Sequence, residues 1–170
     1  AWDAERPVVY AMSGLGTAQG ANALQLVKYD FSKEAGSRVD AIGGDTPGAD
    51  SKITLVGGKI YFVDKEAQEI YSVDTATEER EVVAQGIDFA VSPDGNNIAA
   101  VVPVVEAGED SESVTFNIVM TNLSTREQTE VIQGIGEGES TSLGFDAGSD
   151  ILYFTTYSYE GVTPEYQVAI

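Results

Sequence analysis

Hydrophobic and polar residues alternate along most of this chain with a period of two, and the apolar positions are rich in β-branched and aromatic residues. Alternation of this kind places successive side chains on opposite faces of an extended strand. No stretch shows the 3.6-residue spacing that is typical of an amphipathic helix. The pattern therefore predicts an all-β chain in which helix is scarce.

One apolar phrase occurs four times, at residues 6–12 (RPVVYAM), 58–64 (GKIYFVD), 96–102 (NNIAAVV) and 149–155 (SDILYFT). A second strand, a polar turn and a third strand follow the second and third copies, and residues 26–42 repeat that arrangement near the start of the chain. Asp30, Asp74 and Asn122 occupy the equivalent turn position. A short oxygen-bearing side chain at this position can accept a hydrogen bond from the backbone N–H two residues on. We therefore interpret the repeat as a structural unit that ends in such a turn.

A further short strand precedes three of the four phrases, at residues 52–56, 87–91 and 142–145. Antiparallel units of four strands that recur every 40 to 50 residues are typical of propeller blades, which bury their faces against neighbouring blades. The sequence predicts about four such blades, with three, four, four and three strands, at approximately 6–44, 52–84, 87–133 and 141–170. Residues 1–170 are expected to form one β-propeller-like domain or a fragment of a larger propeller, an incomplete ring of blades.

Residues 89–102, FAVSPDGNNIAAVV, contain a turn between two predicted strands at Ser92, Pro93, Asp94 and Gly95. Proline presets φ for a turn, aspartate can bond its own backbone, and glycine takes a position with positive φ. This segment resembles the TolB-like β-propeller repeat. The resemblance implies a scaffold for contact with protein, peptide or glycan, in some cases beside an enzyme, and it assigns no catalytic residue.

The 170 residues include 28 Asp and Glu against 9 Lys and Arg, with no His and no Cys, which gives a net charge of −19. The absence of His and Cys excludes Ser-His-Asp and Cys-His catalysis and the usual ligand sets of zinc, copper, haem and iron–sulfur clusters. We expect no cofactor. A surface this negative repels phosphate backbones, so nucleic acid is not an expected partner. The longest apolar run, residues 98–105, is too short to span a membrane, and no membrane insertion is expected.

Tyrosines crowd the segment ILYFTTYSYEG at residues 151–161. Strand alternation places Tyr153, Tyr157 and Tyr159 on one face and Phe154 on the other. Exposed tyrosines in an outer strand can stack on a sugar or contact a protein partner. These three tyrosines are therefore the candidate ligand-binding residues, and the alternative is that they pack against an adjacent blade.

Acidic and glycine-rich segments lie between the predicted strands. We expect the acidic residues to be solvated side chains of loops and not ligands of a metal, because their spacing does not match a calcium loop; they are Asp45, Asp50, Glu106, Glu109, Asp110, Glu112, Glu137 and Glu139. Glycines at 14–20 and at 134, 136 and 138 resemble a phosphate loop only in composition, since no helix follows them. We interpret them as a hairpin and as a connection between blades.

These observations favour a recognition or scaffolding module without catalysis that binds protein, peptide or glycan. The composition favours an extracellular or cell-surface location, secreted or lipid-anchored, with a leader already removed. One alternative is the propeller domain of a hydrolase, either a carboxylate-based glycosidase or the accessory domain of a peptidase. Another is a structural subunit that associates with itself through open blade edges, because an unpaired strand can pair with another chain.

Overall fold

The computed structural model describes residues 1–3, 6–14, 24–46, 49–107, 112–136, 140–157 and 165–170. These residues form strands almost throughout, with a single turn of 3-10 helix at Ala35–Ser37. The chain divides into two compact units, Ala1–Val83 and Ala84–Ile170. None of the described residues belongs to a helix with the length and apolar character needed to cross a membrane.

The strands form four antiparallel sheets, and neighbours in each sheet are consecutive in the chain. Sheet 1 contains β1 (Trp2–Asp3), β2 (Val8–Ser13), β3 (Leu24–Asp30) and β4 (Val39–Thr46). Sheet 2 contains β5 (Ala49–Val56), β6 (Lys59–Asp64), β7 (Glu69–Asp74) and β8 (Arg80–Gln85), the last of which ends just beyond the first unit. Sheet 3 contains β9 (Asp88–Val91), β10 (Asn97–Ala107), β11 (Glu112–Asn122) and β12 (Gln128–Ile135). Sheet 4 contains β13 (Ser140–Phe145), β14 (Ile151–Tyr157) and β15 (Glu165–Ala169).

Each unit has a hydrophobic core made by two consecutive sheets. In the first unit, Tyr10, Leu26 and Ile42 of sheet 1 form one buried cluster with Phe62 and Val73 of sheet 2. Each fully buried side chain of this size contributes about 1.5–3 kcal/mol relative to its exposed state. Because a sheet cannot bury its own face, pairs of sheets packed in this way are what propeller blades require, and the prediction of an all-β chain with about four blades is confirmed.

The core of the second unit is built in the same way. Val101 and Ile118 of sheet 3 pack in one cluster with Leu143, Leu152 and Phe154 of sheet 4. Leu152 and Ile118 are completely buried. The apolar positions of the alternating pattern at residues 151–155 therefore point into the core at every second residue, as the period of two predicts.

The structure corrects the sequence analysis of the strands at two places. The first sheet does have a first strand, because Trp2 pairs with Val9 and Asp3 with Val8. Two paired residues carry no readable alternation, so the sequence analysis missed this strand. Glu106 and Glu112, which were expected to lie in a loop, lie in strands, because β10 and β11 stay paired up to Ala107 and Glu112.

Aspartate and asparagine side chains close the turns of the repeat. Oδ1 of Asp74 accepts hydrogen bonds from the backbone N–H of Ala76 and Thr77, at 2.8 and 2.9 Å. Asn122 does the same for the residues two and three positions on, at 3.0 and 2.9 Å, and Asp30 accepts from Ser32 at 3.0 Å. The predicted structural role of the three positions is confirmed, because each side chain accepts hydrogen bonds from backbone N–H groups of the turn, which lie outside the paired strands.

The turn between β13 and β14 depends on one carboxylate. Asp146 accepts hydrogen bonds from the backbone N–H of Ile151, Gly148 and Asp150, at 2.9, 3.0 and 2.9 Å, and these bonds lower its pKa. A carboxyl group whose pKa is lower in the folded chain than in the unfolded chain stabilises the fold at pH values above the unfolded pKa. This stabilisation is lost as the pH falls through the folded pKa.

We therefore expect Asp146→Asn, which keeps an oxygen for Ile151 and Asp150, to lower the urea midpoint at neutral pH less than Asp146→Ala does. Below the ordinary carboxyl pKa of 3.8, the difference between the wild-type chain and Asp146→Asn should shrink. Urea titrations at neutral pH and in acid measure both effects. A difference that grows in acid would contradict this assignment.

Candidate functional site

Of the three tyrosines that the sequence analysis grouped, the structure describes the side chain of Tyr153. Tyr153 lies in the middle of β14, half-buried, on the face opposite the core residue Phe154. Tyr157 is the last residue of that strand, and its side chain lies outside the description, as does the whole of Tyr159. The predicted site of Tyr153, Tyr157 and Tyr159 therefore stays a prediction.

An aromatic groove of about 350 Å³ lies on the other face of sheet 4. Its floor is formed by residues 132–136, the last part of β12 and the glycine after it, and its wall is formed by Phe154 and Tyr166. Tyr166 pairs with Phe154 across β14 and β15, and the two rings stack with centroids 4.8 Å apart and planes 10° apart. Phe154 is 3% exposed and Tyr166 is 45% exposed, so the tyrosine extends the buried core to the surface. Exposed, rigid aromatic rings of this kind are enriched in recognition surfaces.

A β-bulge shapes the floor of the groove. Phe116 pairs with Ile135 and Ile118 pairs with Ile132, which leaves one extra residue in β12. Gly134 takes a φ of +70° there, and its backbone N–H donates to Oδ1 of Asn117 at 3.0 Å. A bulge bends a strand and turns its surface. Here the glycine also leaves the floor of the groove without a side chain.

The groove could not be predicted from the sequence, for a physical reason. We expected Gly134 and Gly136 to lie in a connection between blades; Gly136 does follow β12 and precede the next sheet, but Gly134 belongs to β12 itself. A bulge changes the face on which each later side chain lies, so the period of two fails at residues 132–136. In the sequence, the groove is indicated only by the spacing of Ile132, Gly134 and Gly136, and ordinary small loops have the same spacing.

The unit that contains the groove has a strongly negative net charge. The second unit, residues 84–170, has 14 acidic residues and a single basic one, Arg126, whereas the first has 14 acidic and 8 basic residues. Glu130 lies beside the groove, where its carboxylate accepts hydrogen bonds from the side-chain amides of Asn117 and of Gln133, the latter at 2.7 Å. Surfaces with such a field attract cationic segments and repel anionic ones.

Two polar cavities of about 490 Å³ each lie in the first unit, and the basic side chains that line them already have partners. In one, Lys59 forms a 3.0 Å ion pair with Glu81, and the guanidinium of Arg80 lies 3.7 Å from the ring centre of Tyr71. In the other, Arg6 contacts Asp3 at 2.7 Å and donates to Thr75 at 3.1 Å. A ligand at either place would have to displace these contacts, so the groove is the better candidate.

Hydrogen bonds lower the pKa of five carboxyl groups among the described residues. A carboxyl group that acts as a general acid near neutral pH needs a raised pKa. Among the residues that the structure describes, every carboxyl group with a clear shift has its pKa lowered by hydrogen bonds, and these are Asp30, Asp40, Asp74, Asp94 and Asp146.

The acidic loop candidates are only partly described. Asp45, Asp50, Glu106 and Glu112 lie in strands, with side chains outside the description, and Glu109, Asp110, Glu137 and Glu139 lie outside the described residues. Whether they are solvated therefore stays a prediction.

The turn at 92–95 is as predicted: Gly95 has a φ of +73°, and Oδ1 of Asp94 accepts a hydrogen bond from the backbone N–H of Asn96 at 3.0 Å.

No protein-family model matches the chain, and no curated protein matches it. Among solved structures it is similar to TolB from Acinetobacter baumannii, with a TM-score of 0.59 and 19% identity over 95% of this chain and 38% of that one. It is also similar to a chain of a nidogen/laminin complex, with a TM-score of 0.52 and 17% identity over 89% of this chain and 53% of that one. The chain thus spans less than two thirds of either protein. These similarities establish a TolB-like β-propeller fold and confirm the resemblance of the repeat at that level.

Proposed function

We propose that this chain is a non-catalytic recognition module that binds an extended, positively charged segment of a protein in the aromatic groove. The observation that carries the proposal is the stack of Phe154 and Tyr166, because it presents a rigid ring at 45% exposure above a floor of glycine. Such rings bind with little loss of side-chain entropy.

Three features support a protein ligand over a substrate. The groove is lined by apolar and amide side chains, and the acidic excess of the second unit complements lysine and arginine. Among the described residues, the carboxyl groups with a clearly shifted pKa are shifted downwards, which favours the ionised form. The nidogen structure is that of a complex with another protein, laminin. The acidic composition fits an extracellular or surface location, which we include in the proposal.

Binding of a labelled eight-residue peptide of alternating valine and lysine tests the proposal. We expect it to bind more tightly than the matching valine–glutamate peptide and less tightly as salt is added, because salt screens charge attraction. Tyr166→Ala should weaken binding about tenfold or more, as loss of an aromatic anchor does.

Tyr153→Ala is the matched control, because this tyrosine lies on the opposite face of sheet 4. Equal affinity for the two peptides, or equal losses from the two tyrosine variants, would overturn the proposal. Binding of an uncharged glycan in place of the peptide would overturn it as well.

A further inference from the structure

Strands β10 and β11 extend beyond the rest of the sheet to which they belong. Each has 11 residues, whereas every other strand that the structure describes has eight or fewer. The two strands pair with each other over their whole length. Their neighbours stop earlier: among the described residues, β9 pairs with β10 only up to Val101, and β12 pairs with β11 only as far as Phe116. The last part of this hairpin, residues 102–107 and 112–115, is therefore a two-stranded ribbon.

An apolar stripe runs along one face of the ribbon. Directly opposed residues of an antiparallel pair lie on the same face, and so do residues two apart in one strand. Three opposed pairs therefore share a face: Val101 with Ile118, Pro103 with Phe116, and Val105 with Val114. Ile118 is completely buried in the core, Phe116 packs against that core, and Val105 is 62% exposed. The stripe thus leads from the core of the second unit to an exposed end.

The stripe continues the floor of the aromatic groove. Ile135, which belongs to that floor, pairs with Phe116, and both pack in the same core cluster. Because β11 and β12 are antiparallel, the ribbon lies beyond the end of β12. From Ile118, which pairs with Ile132 of the groove, to Val114 is about 14 Å at the usual rise of an antiparallel strand. An extended segment of eight residues is about 27 Å long, so it can lie on the groove and the ribbon together.

We propose that the ribbon is the second half of the recognition surface, and that the extended cationic segment lies along the apolar stripe where it leaves the groove. This inference rests on the proposed function and specifies the path of the partner. Alternate side chains of the segment contact Phe116, Val114 and Val105, while the basic ones between them remain in water. Charge favours such a partner, because strands β10 to β15 contain four acidic residues and no basic one.

A proline makes it unfavourable for another strand to pair with the ribbon. The carbonyl of Val101 accepts the backbone N–H of Ile87 at 2.8 Å, so the backbone groups of Val101 face the β9 side. Backbone groups alternate in direction along a strand, so Pro103 faces the same side, beyond the last pair with β9. Proline has no N–H to donate there, and proline at an edge opposes pairing with another chain. The ribbon is therefore suited to contact through its side chains.

The variant Val105→Ser tests the inference with the labelled valine–lysine peptide. Because Val105 is exposed, we expect the urea midpoint to stay close to that of the wild-type chain. Peptide binding should weaken by about threefold or more, since the variant removes an apolar contact of the stripe. Val104→Ser is the matched control, because Val104 is the next residue of the strand and lies on the opposite face with Thr115. Equal losses of affinity in the two variants would overturn the inference.

Two further measurements give readouts that a change in stability would not produce. Val105→Leu keeps the apolar surface, so it should bind the peptide as tightly as the wild-type chain does. During titration of the isotope-labelled chain, the amide signals of residues 104–105 and 114–116 should shift and saturate together with those of the groove. Shifts in the groove without shifts in the ribbon would contradict the proposed path, and so would weak binding by Val105→Leu.

The two proposals fail differently. If Tyr166→Ala weakens binding while Val105→Ser does not, the groove remains the site and the path along the ribbon is wrong. If Val105→Ser weakens binding while Tyr166→Ala does not, or if neither does, the proposed function falls and this inference falls with it. A dimer seen by light scattering without peptide, and lost in Val105→Ser, would identify the occupant as a second copy and overturn the choice of partner.

Discussion

Replacing Phe62 by alanine is expected to lower the free energy of unfolding by about 3–5 kcal/mol, the usual cost of truncating a buried phenylalanine. Phe62 is 1% exposed and belongs to the cluster that joins sheets 1 and 2. Its ring also lies 5.6 Å from that of Tyr71 and 5.3 Å from the guanidinium of Arg80. The substitution therefore removes a core side chain and one member of a cation–π stack. Urea unfolding followed by circular dichroism measures the loss.

Phe31→Ala is the matched control for this prediction. Phe31 is 50% exposed, and its contact with the guanidinium of Arg38, at 5.8 Å, lies at the surface. An exposed cation–π contact is worth about 0.5–1 kcal/mol, so the control should lose no more than that. Similar losses in the two variants would contradict the assignment of Phe62 to a blade core.

Gly86→Ala is expected to lower the free energy of unfolding by roughly 2–5 kcal/mol, through backbone strain and overpacking together. Gly86 has a φ of +150°, and a Cβ at this position would lie 2.7 Å from the carbonyl oxygen of Val101 and 3.1 Å from Cβ of Ala100. That carbonyl also accepts the backbone N–H of Ile87 at 2.8 Å, so it cannot move away without breaking a bond.

Gly144→Ala is the control for this substitution. Apart from its two chain neighbours, no residue has an atom within 4 Å of the place that a Cβ would occupy there. Alanine in a strand restricts the unfolded chain more than glycine does, so stability should be unchanged or slightly raised. A loss at Gly144 as large as that at Gly86 would show that steric contact is not the cause.

Much of the fold can be predicted from the sequence because blades repeat local patterns. The alternation at residues 149–155 predicts that Leu152 and Phe154 share the buried face, and both lie in the core. The turn at 92–95 and the side chains of Asp74 and Asn122 act through neighbours only a few residues away. Such features are local, so the sequence contains them.

The candidate site depends on long-range register and could not be predicted in the same way. Tyr166 stacks on Phe154 only because β15 pairs with β14 in one particular register. The glycine floor of the groove depends on a bulge that Asn117 stabilises from the neighbouring strand. Tyr153 is next to Phe154 in the sequence, and it drew attention to the opposite face of the sheet.

Amide chemical-shift mapping of the isotope-labelled chain during titration with the valine–lysine peptide tests the recognition proposal most directly. We predict that the largest shifts fall at residues 132–136 and 165–170, and that they saturate together. Large shifts confined to the first unit, residues 1–83, would contradict the proposal, and so would no shift at peptide concentrations that saturate the binding assay.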